Sequence, residues 1–250
     1  INEDLELSKE ISLQVDEYIV INNFFGIKDS YVNQLIDKYG DKAIVDSTQS
    51  LFSKYEKATY VFYSLRKFVG VPDGGIAVTK DNSLSKRLKT DDSCDRCSHL
   101  LKRYDRGASD GYSDFKKNGD VVRDEDLKLM SNLTKSIMSS IDIVQVKEKR
   151  TRNFEYLHSR LYSTNKFKFK DVFTSPMVYP YYTESDTLRN LLINEKIFVA
   201  TYWPNVYEWC KERDTEYKLA SFLLPLPIDQ RYNTEDMQRI ISIINEYGTI

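Results

Sequence analysis

Five polar side chains in one stretch of the sequence could do chemistry together. They are Asp46, Gln49, Ser64, Arg66 and Lys67. Each follows a short apolar run, and these runs are β-branched or aromatic enough to be buried strands of an α/β sheet. In open α/β sheets the ligand crevice lies beyond the carboxyl ends of the strands. The pattern therefore predicts that the five side chains meet at one common site.

Lys67 is the residue of this group with the most direct chemical use. It lies among Phe68, Val69 and Val71. Apolar neighbours remove part of the solvation of an ammonium group, which lowers its pKa and leaves a free amine able to form a Schiff base with an aldehyde. The alternative for Lys67 is a solvated surface lysine, and the alternative for Asp46 is a cap on the following helix.

The order of these residues resembles a known family. A strand followed by Asp46-x-x-Gln49, a strand followed by Ser64-x-x-Lys67, and a turn into Gly74-Gly75 are similar to the DegT-like sugar aminotransferases, which use pyridoxal 5′-phosphate (PLP). Four further segments share the similarity: NNFFG at 22–26, MVYPYY at 177–182, ATYWPNV at 200–206 and LLPLPI at 223–228. The resemblance therefore covers nearly the whole chain.

The resemblance implies a role for each member of the motif. Lys67 would form the Schiff base with PLP, and Asp46 would pair with the pyridinium nitrogen of the cofactor. A carboxylate beside that nitrogen keeps it protonated, so that the cofactor can withdraw electrons from the substrate α-carbon. Ser64 would donate its hydroxyl to the cofactor phosphate. Gln49 would lie near the ring and its phenolic oxygen.

Three further residues are candidate substrate contacts. Asn23 follows a strand predicted at 18–21, and it either faces the site or forms the turn toward Gly26, which asparagine also favours. Tyr202 and Trp203 could stack on a sugar or a nucleotide base, or pack in the core or at a domain interface. The resemblance implies an amino acid as amino donor and a nucleotide-linked keto sugar as acceptor.

The predicted fold class is α/β. The resemblance implies fold type I of the PLP-dependent enzymes, with a mostly parallel sheet, helices on both faces and a smaller C-terminal α+β domain. Residues 1–128 would be the remainder of the large PLP-binding domain, and residues 129–250 the linking helix and the small domain. Strand, helix and strand alternate from residue 18 to residue 45, which itself indicates parallel pairing with a right-handed crossover.

Apolar periodicity predicts the other elements. A short helix is expected at 81–89, one long helix over 129–161, and a mobile loop over the irregular residues 90–126. The C-terminal part is predicted to alternate strand and helix, with strands at 172–180 and 197–200 and helices at 185–195 and 234–247.

The resemblance is incomplete at two places. Family members have a sizeable N-terminal portion, with a phosphate loop and an aromatic residue stacked on the cofactor, before the equivalent of residues 18–21. We expect the chain to be the C-terminal portion of a longer protein, and a reduced relative that binds PLP poorly is the alternative. In the family, an asparagine that reaches the cofactor phosphate of the neighbouring subunit is followed by an arginine. Leu127 and Leu129 occupy those places, although Asn118 or Arg123 could substitute from the loop.

Composition narrows the classes of function. The 250 residues include 36 Lys and Arg against 38 Asp and Glu, so no strong field favours nucleic acid or an anionic membrane. No apolar run approaches the length of about 20 residues that crosses a bilayer, and no signal peptide begins the chain, so we expect a cytoplasmic protein. Cys94, Cys97 and His99 lack a fourth ligand in a second CxxC, so no metal site is expected.

The resemblance therefore implies a homodimeric PLP-dependent sugar aminotransferase. Two alternatives stay open. A PLP-dependent sugar dehydratase has the same fold, but such relatives typically carry histidine in place of the lysine, which Lys67 opposes. A binding or assembly protein that retains the fold without catalysis is favoured by Leu127 and Leu129. That reading is opposed by the intact set of Asp46, Ser64 and Lys67.

Overall fold

A four-stranded sheet positions the motif residues. The computed structural model describes residues 1–81, 83–169 and 175–247. The strands of the sheet, in spatial order, are β1 (Ile19–Asn22), β2 (Ala43–Asp46), β3 (Tyr60–Ser64) and β4 (Gly75–Val78). The first three strands run parallel and β4 runs antiparallel to β3. This mostly parallel sheet with its helices confirms the predicted α/β class.

The remaining elements are mainly helical. The helices are α1 (Asp29–Tyr39), α2 (Leu84–Arg87), α3 (Ser98–Arg106), α4 (Ala108–Asp124), α5 (Asn132–Ser140), α6 (Ile143–Leu161), α7 (Leu188–Asn194), α8 (Val206–Trp209), α9 (Thr215–Phe222) and α10 (Thr234–Tyr247). A second sheet pairs β5 (Val178–Tyr182) with β6 (Leu223–Pro227) in antiparallel orientation. Among the described residues, no helix is both long and apolar enough to cross a membrane.

The two faces of the four-stranded sheet differ. One face packs on α1, where Ile21 and Val45 are buried with Val32. Successive strand residues alternate between faces, so Val20 and Phe62 point to the opposite face, and both are exposed there, by 59% and 36%. Asp46 pairs in register with Phe62 and shares this open face, and so does Ser64, two residues further along β3.

The second sheet has its own apolar core. Tyr179 and Leu226 from this sheet are buried with side chains from α6, α7 and α10. A separate cluster joins Phe68, in the turn that carries Lys67, to Met177 and Leu219. The apolar contacts therefore continue from the lysine turn into the C-terminal part of the chain. The proposed domain division after residue 128 stays a prediction.

The prediction of a mobile loop at 90–126 was wrong. Most of this segment forms α3 and α4, which pack against each other as a helical hairpin. A Cβ added to Gly111 of α4 would lie 2.7 Å from the carbonyl oxygen of His99, so the absence of a side chain lets the two helices approach closely. The buried residues of the two helices are His99, Gly111 and Asn118, and none of them is a large apolar side chain. The hairpin thus packs without a clear apolar stripe, which is why periodicity did not reveal it.

Other boundaries also differ from the prediction. The long helix is broken into α5 and α6 because Asp142 caps a new start, its carboxylate accepting a hydrogen bond from Gln145 N at 3.0 Å. Residues 197–200 are not a strand, although Ile197 is buried. Strand β6 was missed as an element because Pro225 and Pro227 argue against a strand. In the strand predicted at 172–180, the part at 172–174 lies outside the described residues.

Candidate active site

The carboxyl ends of β2 and β3 bring the predicted catalytic residues together. Asp46 ends β2, and one of its carboxylate oxygens accepts a hydrogen bond from Thr48 N at 2.9 Å. The Thr48 hydroxyl in turn accepts a hydrogen bond from Lys67 Nζ at 2.8 Å. No helix begins between β2 and β3, so the helix-cap reading of Asp46 was wrong. The structure therefore joins the aspartate and the lysine through one threonine.

The environment of Lys67 lowers its pKa. The side chain is open to solvent on one side, but the protein atoms around it desolvate the ammonium group and lower the pKa. The Asp46 carboxylate opposes this shift because it favours the charged form. The amine is therefore easier to deprotonate than that of a free lysine, and it can be reached from solvent. Both properties suit a nucleophilic amine.

Gln49 and Ser64 occupy different surroundings. Gln49 is buried, and its amide oxygen accepts a hydrogen bond from Phe25 N at 2.9 Å, so it braces the turn at 23–26. Gly26, in this turn, has a φ of +74°, and a Cβ added to it would lie 3.2 Å from the Gln49 carbonyl oxygen. Ser64 lines a cleft of about 980 Å³ that runs along β4. The cofactor contacts implied for Gln49 and Ser64 stay predictions.

Asn23 is held by the protein itself. It is 1% exposed, its amide nitrogen donates to the Tyr55 hydroxyl at 2.6 Å, and its amide oxygen accepts from Lys28 N at 3.0 Å. The same amide nitrogen also contacts Asp29. These contacts agree with the turn-forming alternative for Asn23 rather than with a substrate contact.

Tyr202 and Trp203 belong to an aromatic cluster next to a second cavity. Trp203 packs edge to face on Phe24, with ring centroids 5.2 Å apart, and Tyr202 packs similarly on Phe25 at 5.5 Å. Both line a cavity of about 220 Å³ that shares no lining residue with the larger cleft. Burial raises the pKa of Tyr202 to about 12, with Arg150 opposing the shift. The packing alternative is therefore realised for part of each ring, and stacking on a substrate stays a prediction.

The sequence reasoning missed a clasp on the lysine turn. Gln230 donates from its amide nitrogen to the carbonyl oxygen of Phe68 at 2.7 Å, and its amide oxygen accepts from Arg150 Nε at 2.9 Å. Arg150 is 1% exposed, its guanidinium lies 4.8 Å from the Phe68 ring centroid, and it donates to the Met177 carbonyl at 3.1 Å. Gln230 and Arg150 thus anchor the residue that follows Lys67.

One signal for this clasp was present in the sequence. Arg150 lies on the buried face of α6, between Val146 and Phe154, where the apolar stripe would otherwise continue. A charged residue within such a stripe is almost never buried without polar partners. Burial lowers the pKa of Arg150 to about 10, and Asp229 partly opposes this shift.

Replacing Gln230 by leucine is expected to destabilise the protein. The change removes the amide partner of Arg150 Nε and of the Phe68 carbonyl at a partly buried position, which costs about 1–3 kcal/mol of unfolding free energy. Urea unfolding of the wild type and of Gln230→Leu measures the difference. The control is Gln238→Leu, because Gln238 is exposed and its side-chain oxygen accepts a hydrogen bond from the exposed Tyr156 hydroxyl. Equal losses in the two variants would contradict the clasp.

The residues that depart from the family motif line the wall of the large cleft. Leu127 and Leu129 line it, and Leu127 is 67% exposed. Asn118 is buried and donates to the Pro72 carbonyl at 2.8 Å. Arg123 is paired on the surface of α4 with Asp120 and Asp124. Substitution of the cross-subunit contact by Asn118 or Arg123 stays a prediction.

The cysteines of the chain form neither a disulfide nor a metal-ligand group among the described residues. Cys94, Cys97 and Cys210 are free thiols. Within residues 1–81, 83–169 and 175–247, no group of three or more His, Cys, Asp or Glu side chains is arranged to hold a metal ion.

Comparison with known proteins identifies the fold. No family model matches the chain, and no curated protein matches it. Among solved structures, a DegT DnrJ EryC1 StrS aminotransferase from Brucella abortus aligns with a TM-score of 0.58 at 15% identity, over 94% of this chain and 65% of that protein. The fold is that of the DegT-type aminotransferases.

Two further solved structures have the same DegT-type fold. Helicobacter pylori PseC, an aminotransferase of pseudoaminic acid biosynthesis, aligns with a TM-score of 0.58 at 15% identity, over all of this chain and 73% of that protein. DesI, solved with its TDP-sugar product, aligns with a TM-score of 0.58 at 14% identity, over 95% of this chain and 64% of that protein. The chain thus spans about 65% of the length of the first of these relatives.

Proposed function

We propose that this chain carries the lysine half of a PLP-dependent aminotransferase site that moves an amino group from an amino acid to a nucleotide-linked keto sugar. The observation that carries the proposal is the link from Asp46 at the end of β2 through Thr48 to Lys67, in the turn that follows Ser64 at the end of the adjacent parallel strand β3. Aminotransferases of the same fold support the choice of cofactor and reaction.

The residues present fit PLP. Lys67 is the amine that would bind the cofactor covalently, and Asp46 would hold a proton on the pyridine nitrogen. PLP, when bound, withdraws electrons from the substrate α-carbon. Ser64, on the same open face, would donate a hydrogen bond to the phosphate. Lys67 Nζ, once free, would accept the proton from the α-carbon of the amino donor and donate it to the C4′ carbon of the cofactor.

Trapping the bond between protein and cofactor tests this function. The protein expressed from its complete reading frame is incubated with PLP, reduced with borohydride and digested, and the pyridoxyl group is located by mass spectrometry. We expect it on Lys67, after a yellow absorbance has developed. Label on a different lysine would overturn the site assignment. A folded protein that takes no label would favour the non-catalytic binding protein instead.

The same fold also supports the non-catalytic alternative on one observation. Leu127 and Leu129 line the cleft where the resemblance would place polar cofactor contacts. The lysine and aspartate have no evident use in a purely structural protein, since Lys67 contributes a single hydrogen bond at an exposed position. We therefore propose a catalytic role for the protein. We also propose that it acts in the cytoplasm.

We further propose a homodimer with active sites near the subunit interface, by analogy with the resembled family. The α3–α4 hairpin is a candidate arm because it exposes Leu101 and Tyr104, by 65% and 91%. Light scattering with PLP present is expected to give the mass of two chains. A single-chain mass across a wide range of concentrations would contradict the dimer.

A further inference from the structure

Arg66 is a cation without a charge partner in the described part of the chain. It precedes Lys67 in the turn after β3, and it lines the 980 Å³ cleft together with Ser64. Its guanidinium lies 5.8 Å from the centroid of the Phe115 ring, on the side of the α3–α4 hairpin. Its Nε is buried and donates to none of the described residues. Buried polar atoms rarely lack a hydrogen-bond partner.

The charges near Arg66 do not compensate for the desolvation of its guanidinium group. Burial lowers the pKa of Arg66, repulsion from Arg96 adds to the effect, and only Asp73 opposes it. Asp91 is already paired with Arg96 and Lys128. Because a desolvated charge is costly unless it is paired, an anion entering the cleft would stabilise the arrangement.

Arg96 provides a second unsatisfied donor at the cleft. Its side chain is 12% exposed, and its Nη1 is buried with no partner in the described residues, while its Nη2 faces Asp91. Arg66 and Arg96 line the same cleft, and the positive charge of Arg96 lowers the pKa of Arg66. Two guanidinium groups with free N–H donors line the same cleft as the Ser64 hydroxyl, and such donors suit an oxyanion.

We infer that Arg66 is the principal cation of a phosphoryl-binding subsite at the Ser64 end of this cleft. A guanidinium binds phosphate oxygens in a planar, two-pronged geometry that an ammonium group cannot reproduce. The phosphoryl group has two possible sources, the phosphate of PLP and the diphosphate of a nucleotide-linked sugar. The choice of source rests on the proposed function, whereas the phosphoryl subsite rests on Arg66 itself.

The side chains of Lys67 and Arg66 lie on different sides of the turn after β3. Lys67 contacts Thr48 on the β2 side of the turn, whereas Arg66 contacts Phe115 on the hairpin side. Consecutive residues of one turn therefore face opposite parts of the site.

Binding measurements on matched variants test the inference. PLP, pyridoxal without the phosphate, and uridine diphosphate are titrated into wild type, Arg66→Gln and Arg66→Lys. If the source is PLP, we expect Arg66→Gln to weaken PLP binding about tenfold or more and to leave pyridoxal binding unchanged, with Arg66→Lys in between. If the source is the sugar nucleotide, the same loss appears for uridine diphosphate.

The control is Arg87→Gln, an exposed arginine of α2 that does not line the cleft. It should bind every ligand as wild type does, and circular dichroism confirms that each variant is folded. Unchanged affinity of Arg66→Gln for both phosphorylated ligands would overturn the subsite, even if PLP still labels Lys67. If wild type takes no label on Lys67, the function fails, and inorganic phosphate titration of the same variants still decides the subsite.

Discussion

Lys67→Ala is expected to abolish both covalent attachment of PLP and amino transfer while leaving the fold intact. The amine is the only group of the candidate site that can form the bond, and proton transfer by a positioned side chain contributes roughly 10²–10⁴-fold to a rate. Lys67 is exposed and donates one hydrogen bond to Thr48, so its loss should change the unfolding free energy by about 0.5 kcal/mol or less.

Borohydride reduction and a steady-state assay measure these two effects. Lys54→Ala is the matched control, because Lys54 is exposed in the same stretch and lies outside the candidate site. It should keep wild-type labelling and turnover. A Lys67→Ala protein that is still labelled one to one and still active would show that a different lysine carries the chemistry.

Asp46→Asn is expected to lower turnover by roughly tenfold or more, which corresponds to about 1.4 kcal/mol of lost transition-state stabilisation. A neutral amide does not hold the pyridine nitrogen protonated, so the electron sink weakens. The fold should persist, because an asparagine oxygen can still accept the hydrogen bond from Thr48 N. Normal turnover in this variant would reduce Asp46 to a turn residue.

Asp46→Asn is also expected to change the pKa of Lys67 in the protein without cofactor. The Asp46 carboxylate raises the pKa of Lys67 against the larger lowering by burial. Removing the negative charge should therefore lower the pKa of Lys67 further, and the free amine should appear at lower pH. The pH dependence of amine acylation at Lys67, followed by mass spectrometry, measures this shift. Asp37→Asn, on the exposed side of α1, should leave it unchanged.

Local patterns determined the part of the fold that forms the motif. The apolar runs before Asn22, Asp46 and Ser64 became β1, β2 and β3, because short β-branched and aromatic runs are suited to buried parallel strands. The amphipathic patterns of α1 and α10 were equally readable. Once strand ends are known, the meeting of Asp46 with Lys67 follows from the geometry of a parallel sheet.

Only the tertiary structure decided which polar groups are already engaged. Asn23 is hydrogen-bonded to Tyr55 and to Lys28 N, whereas Arg66 Nε has no hydrogen-bond partner among the described residues. Neither fact follows from residue type, because each depends on side chains that other segments bring close. The packing of α3 on α4 through Gly111 was hidden for the same reason.

The clasp on the lysine turn shows most clearly what cannot be predicted from sequence patterns. Gln230 reaches the Phe68 carbonyl across 162 residues of sequence. Periodicity reports which face of one element is buried, and so it could at most have marked Arg150 as an unusual residue on the buried stripe of α6. It carries no information about the partner, since that is set by how distant elements pack. The sequence alone thus predicted β1, β2, β3 and the approach of Asp46 to Lys67, and tertiary packing decided what holds the lysine turn in place.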